Sequence, residues 1–142
     1  MTDDTNTPRL AGCTTGSVAA ILRLEGTLVL VLAMLAYGAV LHGGWGRFAA
    51  LFLLPDLSML GYLAGRRVGA AVYNMGHSHA LPVALLALGQ LMAAPAASAA
   101  ALIWIAHIGF DRMLGYGLKY PDSFGHTHLG FVGVRNIPPH RA

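Results

Sequence analysis

The chain has 142 residues, of which 56% are hydrophobic and only 11% are charged, and its formal net charge is +3. So few polar side chains cannot cover a soluble globule, and the composition therefore indicates an integral membrane protein. The nine basic residues are mostly isolated and flank apolar runs. This placement is typical of orientation in a membrane, and we expect no nucleic-acid partner. The single cysteine, Cys13, excludes an internal disulfide and a cysteine-rich metal cage.

Four apolar runs follow a polar start. Residues 1–16 are polar and show no periodicity, so we expect them to form a disordered lead. Each run is close to the ~20 residues that a helix needs to cross a bilayer, and short turns separate them. The pattern predicts an all-α, polytopic membrane protein, a four-helix transmembrane bundle over residues 17–130 followed by a C-terminal tail, 131–142. The expected spans are about 20–41, 47–64, 69–94 and 96–118.

The basic residues predict the orientation of this bundle. With four passes, the lead, the second loop and the tail lie on one side of the membrane, and Arg47 alone lies on the other side. Cytoplasmic loops carry an excess of Lys and Arg, so we expect both termini to be cytoplasmic in a cell inner or plasma membrane. The residues on the predicted cytoplasmic side are Arg9, Arg23, Arg66, Arg67, Lys119, Arg135 and Arg141.

Ionisable residues inside the apolar runs indicate a polar site. A charge at the bilayer centre costs at least ~2.5–3.5 kcal/mol, so each one needs a reason. Asp56 and His77 lie eight or nine residues inside their runs, which is about 12–14 Å from the cytoplasmic interface. His107 and Asp111 are four apart, a spacing that lets two helical side chains reach one ion. Glu25 enters near the base of the first run, so the polar groups converge on the cytoplasmic half.

Three segments of the chain resemble one family. They are PDLSMLGYLAG, HIGFDRMLGYGLKY and THLG, and their pattern is similar to the uncharacterised bacterial integral membrane family called domain of unknown function 4260. The resemblance runs from about Arg23 to Gly130. It implies a small multi-span membrane protein, and it brings no established reaction.

The working hypothesis for function is a metal-dependent hydrolase. Imidazoles and carboxylates suit zinc or another divalent first-row metal, whose bound water would hydrolyse a lipid or amphiphilic substrate. We expect Asp56 or Glu25 to be the catalytic base. The other polar residues of the predicted cavity are Tyr73, Asn74, Ser58 and Tyr116, and the predicted metal ligands are His77, His107, Asp111, His126 and His128. The last two histidines join the site only if the tail folds back under the bundle.

Two alternatives stay open at this point. The polar groups would also suit a pathway for an ion, a proton or a small solute, in which case we expect a homo-oligomeric transport subunit. Alternatively, the network fixes helix register in a structural membrane protein without chemistry. Lys119 is predicted to be an interfacial anchor together with tyrosines such as Tyr116.

Overall fold

The computed structural model describes residues 12–42 and 44–132, and within them the chain is mostly helical. Most of the expected lead and tail lies outside the described residues. The elements are α1 Gly16–Leu35, which continues as a π-helical turn, Ala36–Val40; α2 Trp45–Phe52; a 3-10 helix Leu54–Ala64; α3 Arg66–Gly76; α4 Ala80–Leu91; α5 Pro95–Leu114; and two short strands, β1 His126–Thr127 and β2 Gly130–Phe131.

The second apolar run changes helix type at Pro55. Helix α2 ends at Phe52, and the chain continues as a 3-10 helix with Pro55 in its first turn. Proline has no N–H to donate to the carbonyl four residues earlier, so the α-helical ladder stops there. The eleven residues of this 3-10 helix are unusual, because most such helices are no longer than about four residues. Asp56 therefore lies at a helix junction.

The third apolar run, expected as one helix over 69–94, is divided into two helices. Helix α3 ends at Gly76 and α4 begins at Ala80. Pro82 lies in the first turn of α4, where a missing N–H is tolerated. Within a continuous helix the same proline would leave the carbonyl of Ser78 without its donor.

Side chains of α5 satisfy the carbonyl groups that this break sets free. The indole Nε1 of Trp104 donates to the carbonyl of Gly76 at 2.6 Å, and the guanidinium of Arg112 donates to that of His77 at 3.0 Å. A broken helix in apolar surroundings is stable only when such partners exist. The break is therefore fixed against α5.

Helix α5 is the centre of the bundle. It packs against α1, α2, α4 and the 3-10 helix. A Cβ added to Gly109 would lie 2.7 Å from the backbone nitrogen of Leu30 and 2.8 Å from the carbonyl oxygen of Gly26, so the missing side chain lets α1 approach closely. The buried residues of α5 are Ser98, Ala99, Ala101, Leu102, Ile103, Ala106, His107, Ile108 and Gly109.

The fourth helix-forming run ends before the expected residue 118. Gly115 has a φ of +93°, its amide donates to the carbonyl of Arg112 at 3.0 Å, and the amide of Tyr116 donates to that of Asp111 at 2.8 Å. These two bonds form a Schellman motif, which ends a helix at a glycine because glycine adopts positive φ freely.

A small antiparallel hairpin modifies the expected all-α class. In β1 and β2, His126 pairs with Phe131 and Thr127 pairs with Gly130. The Thr127 hydroxyl donates to the Gly130 carbonyl at 2.8 Å, which closes the turn. The carbonyl of His128 accepts the amide of Thr14 at 2.8 Å. The chain after α5 therefore folds back to the start of α1.

Two helical stretches, Gly16–Ala39 and Trp45–Ala64, are long enough and apolar enough to cross a membrane. Only 11% and 6% of their most apolar windows are buried in the structure. The core helix of a soluble protein is mostly buried, whereas these two present apolar side chains such as Leu32 and Leu63 outward.

Gly109→Ala tests the contact between α1 and α5. The added Cβ meets backbone atoms, which cannot rotate away, so we expect a loss of about 1–3 kcal/mol in the free energy of unfolding. The higher helix propensity of alanine offsets at most about 1 kcal/mol of this loss. Gly46→Ala is the matched control, because its Cβ would meet nothing within 4 Å. Thermal unfolding in one detergent compares the two, and equal stability would contradict the packing described.

Candidate metal centre

Four of the predicted site residues meet where the two helix discontinuities face α5. Asp56 lies in the first turn of the 3-10 helix, His77 directly follows α3, and His107 and Asp111 lie one turn apart on α5. One possible ligand atom from each residue lies within 4.8 Å of the other three. The two breaks and the central helix therefore assemble one site.

Five of the six distances among these atoms are close to the edges of a tetrahedral metal site. The Nε2 atom of His77 lies 3.2 Å from Nε2 of His107, 3.4 Å from Oδ2 of Asp111 and 3.5 Å from Oδ1 of Asp56. From Nε2 of His107, the same carboxylate oxygens lie 3.8 and 3.5 Å away. Zinc bonds of about 2.0–2.2 Å give a tetrahedron with edges of about 3.3–3.6 Å. The four atoms can therefore surround one ion with little movement.

The hydrogen bonds of His77 fix which ring nitrogen faces the cluster. Its Nδ1 atom lies 3.0 Å from the carbonyl oxygen of Tyr73, which can only accept, so Nδ1 carries the proton. The Nε2 atom of the neutral ring then directs a lone pair toward the carboxylates of Asp56 and Asp111. A lone pair and two carboxylates repel one another unless a cation lies between them. The positive charge between them comes either from a metal ion or from an N–H hydrogen, which Nε2 of His107 can donate to Nε2 of His77 at 3.2 Å.

Aromatic packing holds the side chains of the cluster in place. The ring of Tyr73 stacks on that of His77 with centroids 3.8 Å apart, and its hydroxyl donates to Oδ2 of Asp111 at 3.3 Å. The ring of His107 packs edge-on against Phe52, with centroids 5.2 Å apart. Its Nδ1 atom is buried without a hydrogen-bond partner among the described residues, so its polar contacts are concentrated at Nε2. Ser58, a predicted cavity residue, lies with its Oγ 3.4 Å from Nδ1 of His77.

The site is closed on one side and open at Asp56. His77 and His107 are each about 1% exposed, whereas the carboxylate side chain of Asp56 is 42% exposed. An apolar cavity of about 310 Å³ begins beside Asp56, at Pro55. The cavity is lined by Leu51, Leu54, Pro55, Leu85, Ala100, Ile103 and Trp104.

Two other predicted site residues lie away from the cluster. Glu25 is exposed on α1, because the face of α1 that meets α5 is that of Gly26 and Leu30. Tyr116 is exposed beyond the end of α5, and its carbonyl accepts a hydrogen bond from Arg112. The structure therefore does not support Glu25 as a base or Tyr116 as a cavity residue.

The predicted tail ligands His126 and His128 are also outside the cluster. The chain folds back toward the start of α1, which was the condition for these histidines to join the site, but Nδ1 of each is hydrogen-bonded to a residue that precedes the hairpin. Nδ1 of His126 lies 2.6 Å from Oδ2 of Asp122, and this hydrogen bond holds the pKa of Asp122 below its usual value. Nδ1 of His128 accepts the amide of Leu118 at 2.8 Å. Burial, together with the charge of Arg112, lowers the pKa of His128 and favours this neutral acceptor.

Asn74 and Lys119 form a second polar layer beside the cluster. The Asn74 amide accepts the Lys119 N–H at 2.7 Å and donates to the Lys119 carbonyl at 2.9 Å. Lys119, which the sequence predicts to be an interfacial anchor, is only 8% exposed, so most of its side chain packs against protein. Burial lowers the pKa of its ammonium group, and the carboxylates of Asp111 and Asp56 act in the opposite direction. No periodicity in the sequence signals this burial, because Lys119 lies beyond the end of α5.

Comparison with known proteins identifies the family. A family model described as Domain of unknown function (DUF4260) matches residues 19–132. The chain belongs to this family. The resemblance seen in the sequence is thereby confirmed, and the matched range contains all four residues of the cluster. A comparison with curated proteins gives no match, and a comparison with solved structures gives none either. Membership in DUF4260 assigns no reaction, so the geometry of the site carries the functional argument.

Trp104→Phe tests whether α5 positions His77 through the helix break. The variant keeps an aromatic ring but leaves the Gly76 carbonyl without its donor, so we expect a loss of about 1–3 kcal/mol in stability. Hydrogen exchange at residues 76–79 should also become faster. Trp45→Phe is the control, because Trp45 is 53% exposed and packs on Tyr37 and Phe48 through its ring. Equal exchange in both variants would contradict a role for the indole N–H.

Proposed function

We propose that this DUF4260 protein is a four-pass membrane protein with a divalent metal centre that hydrolyses an amphiphilic ester. One observation carries the proposal: two imidazole nitrogens and two carboxylate oxygens lie within 4.8 Å of one another, and the distances from the nitrogens are close to those of a tetrahedral metal site. Two imidazoles and two carboxylates suit zinc or another divalent first-row ion, and tetrahedral geometry is typical of zinc.

The exposed apolar surface supports the membrane part of the proposal. The most apolar windows of Gly16–Ala39 and Trp45–Ala64 are almost unburied. In the proposed topology they form the first two passes, α3 and α4 form a discontinuous third pass, and α5 forms the fourth, which at 20 residues is about 30 Å long. The polar side chains that satisfy the break between α3 and α4 make such a discontinuous pass stable in lipid.

Basic residues support a cytoplasmic location for the end of the bundle that holds the hairpin. Arg23 on α1 donates to the carbonyl of Leu114 at the end of α5, and Arg66 at the start of α3 donates to that of Asp122. These contacts place Arg23 and Arg66 at the same end of the molecule, beside the end of α5 and the chain that follows it. Arg47 on α2 belongs to the opposite end in the proposed topology. An excess of positive charge marks the cytoplasmic side.

Cysteine labelling tests this topology. In a Cys13→Ser background, Met92→Cys lies in the turn between α4 and α5, and Pro121→Cys lies beyond α5, both at exposed positions. A membrane-impermeant maleimide should label Met92→Cys in intact cells, and Pro121→Cys only after permeabilisation. The reverse pattern would refute the orientation, and equal labelling of both would refute a pass through α5.

The arrangement of ligands supports a hydrolytic centre. His77, His107 and Asp111 are the more buried ligands, and two histidines with one carboxylate are a common set for catalytic zinc. Asp56, the exposed fourth residue, lies at the open side, where a divalent ion held by the other three would supply a water whose pKa is lowered to about 7. Asp56 would take a proton from this water as the water oxygen bonds to the acyl or phosphoryl centre of the ester. As the bond to the leaving oxygen breaks, Asp56 would return that proton to it, so that an acid and an alcohol are the products.

The neighbouring cavity supports an amphiphilic substrate. Its lining is apolar, it begins at Pro55 next to Asp56, and Trp104 on its wall also holds the helix break that carries His77. An apolar tail in this cavity would place the polar part of the same molecule at the open face of the centre.

Metal analysis of detergent-purified protein tests the centre. We expect about one first-row metal ion per chain, and a loss of that metal in both His77→Gln and His107→Gln. His128→Gln should keep it, because His128 lies in the hairpin; His42→Gln, in the turn after α1, is a second control. Metal-free wild-type protein, or full retention in both His77→Gln and His107→Gln, would sink the proposal. Such a result would leave a proton-bearing network, which suits the structural or the transport alternative.

Asp56→Asn then separates metal binding from chemistry. The other three ligands remain, so we expect most of the metal to stay bound while hydrolysis falls by about two to four orders of magnitude. With cobalt in place of zinc, the visible bands should shift rather than vanish, because the coordination at the open face changes. Complete loss of metal in Asp56→Asn would instead make Asp56 an essential structural ligand, and unchanged hydrolysis would remove it from the mechanism.

A further inference from the structure

Lys119 carries a buried ammonium group inside a cage of aromatic rings. Its Nζ atom lies 3.3 Å from the ring centroid of Phe124, 4.6 Å from that of Tyr73 and 5.4 Å from that of Tyr62. The residue is 8% exposed. Aromatic faces attract a cation, so the cage stabilises the charge without neutralising it.

No protein group neutralises this ammonium within the described part of the chain. No carboxylate lies within 4.0 Å of Nζ, and no side chain or carbonyl accepts a hydrogen bond from it there. Lysine has three N–H donors, and a buried charge normally has a partner. The Nζ atom itself is not fully buried, so a ligand can reach the ammonium group from outside.

The position of Lys119 is fixed relative to the metal centre. Asn74 holds both backbone polar groups of Lys119, and Asn74 is the neighbour of Tyr73 on α3. The ring of Tyr73 contacts the ammonium and also stacks on His77, and its hydroxyl bonds to Asp111. One tyrosine therefore separates the unpaired charge from two of the ligands.

We propose that Lys119 binds the phosphate group of an amphiphilic phosphate ester whose ester bond lies at the metal centre. This inference rests on the proposed function and names its substrate class. A divalent ion is balanced by the two carboxylates, Asp56 and Asp111. The guanidinium of Arg112 is occupied by the carbonyls of His77 and Tyr116. Among the described residues, the charge of Lys119 then has no protein partner and is available to bind an anionic substrate.

Phosphate suits this geometry better than a neutral ester. A phosphate group carries the negative charge that a neutral ester lacks, and charge-assisted hydrogen bonds to an ammonium group are the strong ones. Lys119 follows the end of α5, near the contacts of Arg23 and Arg66. In the proposed topology this is the level of lipid phosphate groups, whereas the apolar cavity lies on the bilayer side.

Ligand binding to the metal-loaded protein in dodecyl maltoside micelles tests the proposal. The probes are hexadecyl phosphate, hexadecanol and inorganic phosphate, with protein-free micelles as the baseline. We expect hexadecyl phosphate to bind more tightly than hexadecanol, and Lys119→Met to weaken it at least about tenfold. Methionine has a similar length and packs well against aromatic rings, so the variant should keep its fold. Arg66→Met, which removes an exposed cation from the same end, should leave the affinity unchanged.

The outcomes separate this proposal from the proposed function because metal content and thermal stability are measured on the same samples. Equal binding of hexadecyl phosphate by wild type and Lys119→Met, with metal present in both, overturns the role of Lys119 and leaves the metal centre intact. Binding of inorganic phosphate without binding of hexadecyl phosphate overturns the amphiphilic substrate. Absence of metal in the wild type overturns the proposed function itself.

Discussion

A helix that stops inside an apolar bundle must find donors for the carbonyl groups that it frees, and the α3–α4 break meets this requirement through α5. Trp104 and Arg112 supply the two donors, to Gly76 and His77. Because these bonds join the backbone at the end of α3 to side chains of α5, they hold the two helices at hydrogen-bonding distance from each other. The same contact brings the ring of His77 to that of His107. The site is thus a consequence of satisfying the broken helix.

The second discontinuity completes the arrangement from the opposite side. Pro55 ends the α-helical ladder, and the next residue, Asp56, reaches the two imidazoles from the 3-10 helix. Irregular backbone is costly in apolar surroundings, so its presence at both junctions of one site indicates that the site requires it. A continuous second helix would turn the residues after Pro55 through a different angle and would move the carboxylate away from the imidazoles.

Three features follow one another along the bundle: the apolar cavity, the proposed metal centre and the ammonium group of Lys119. The cavity ends at Pro55, the metal ligands follow, and Lys119 lies beyond Tyr73 toward the hairpin. An amphiphile has the same order of parts, with an apolar tail, an ester and a charged group. This correspondence is why the proposed reaction and the proposed substrate class support each other, although each depends on different residues.

The sequence by itself determined the helical class, the approximate apolar runs and the convergence of the Asp56, His77, His107 and Asp111 positions. These follow from local rules: the length of an apolar run, the rise per residue and the i,i+4 spacing on one helix. Pro55 and Pro82 are sequence signals of the two helix breaks. The apolar side chains continue through both positions, however, and so predict unbroken spans. Only the tertiary structure decided which side chains meet. The exposure of Glu25, the separate hairpin of His126 and the clamp between Asn74 and Lys119, 45 residues apart, depend on packing between distant segments. Such contacts depend on the shapes of both packed segments, whereas a local sequence pattern describes only one segment.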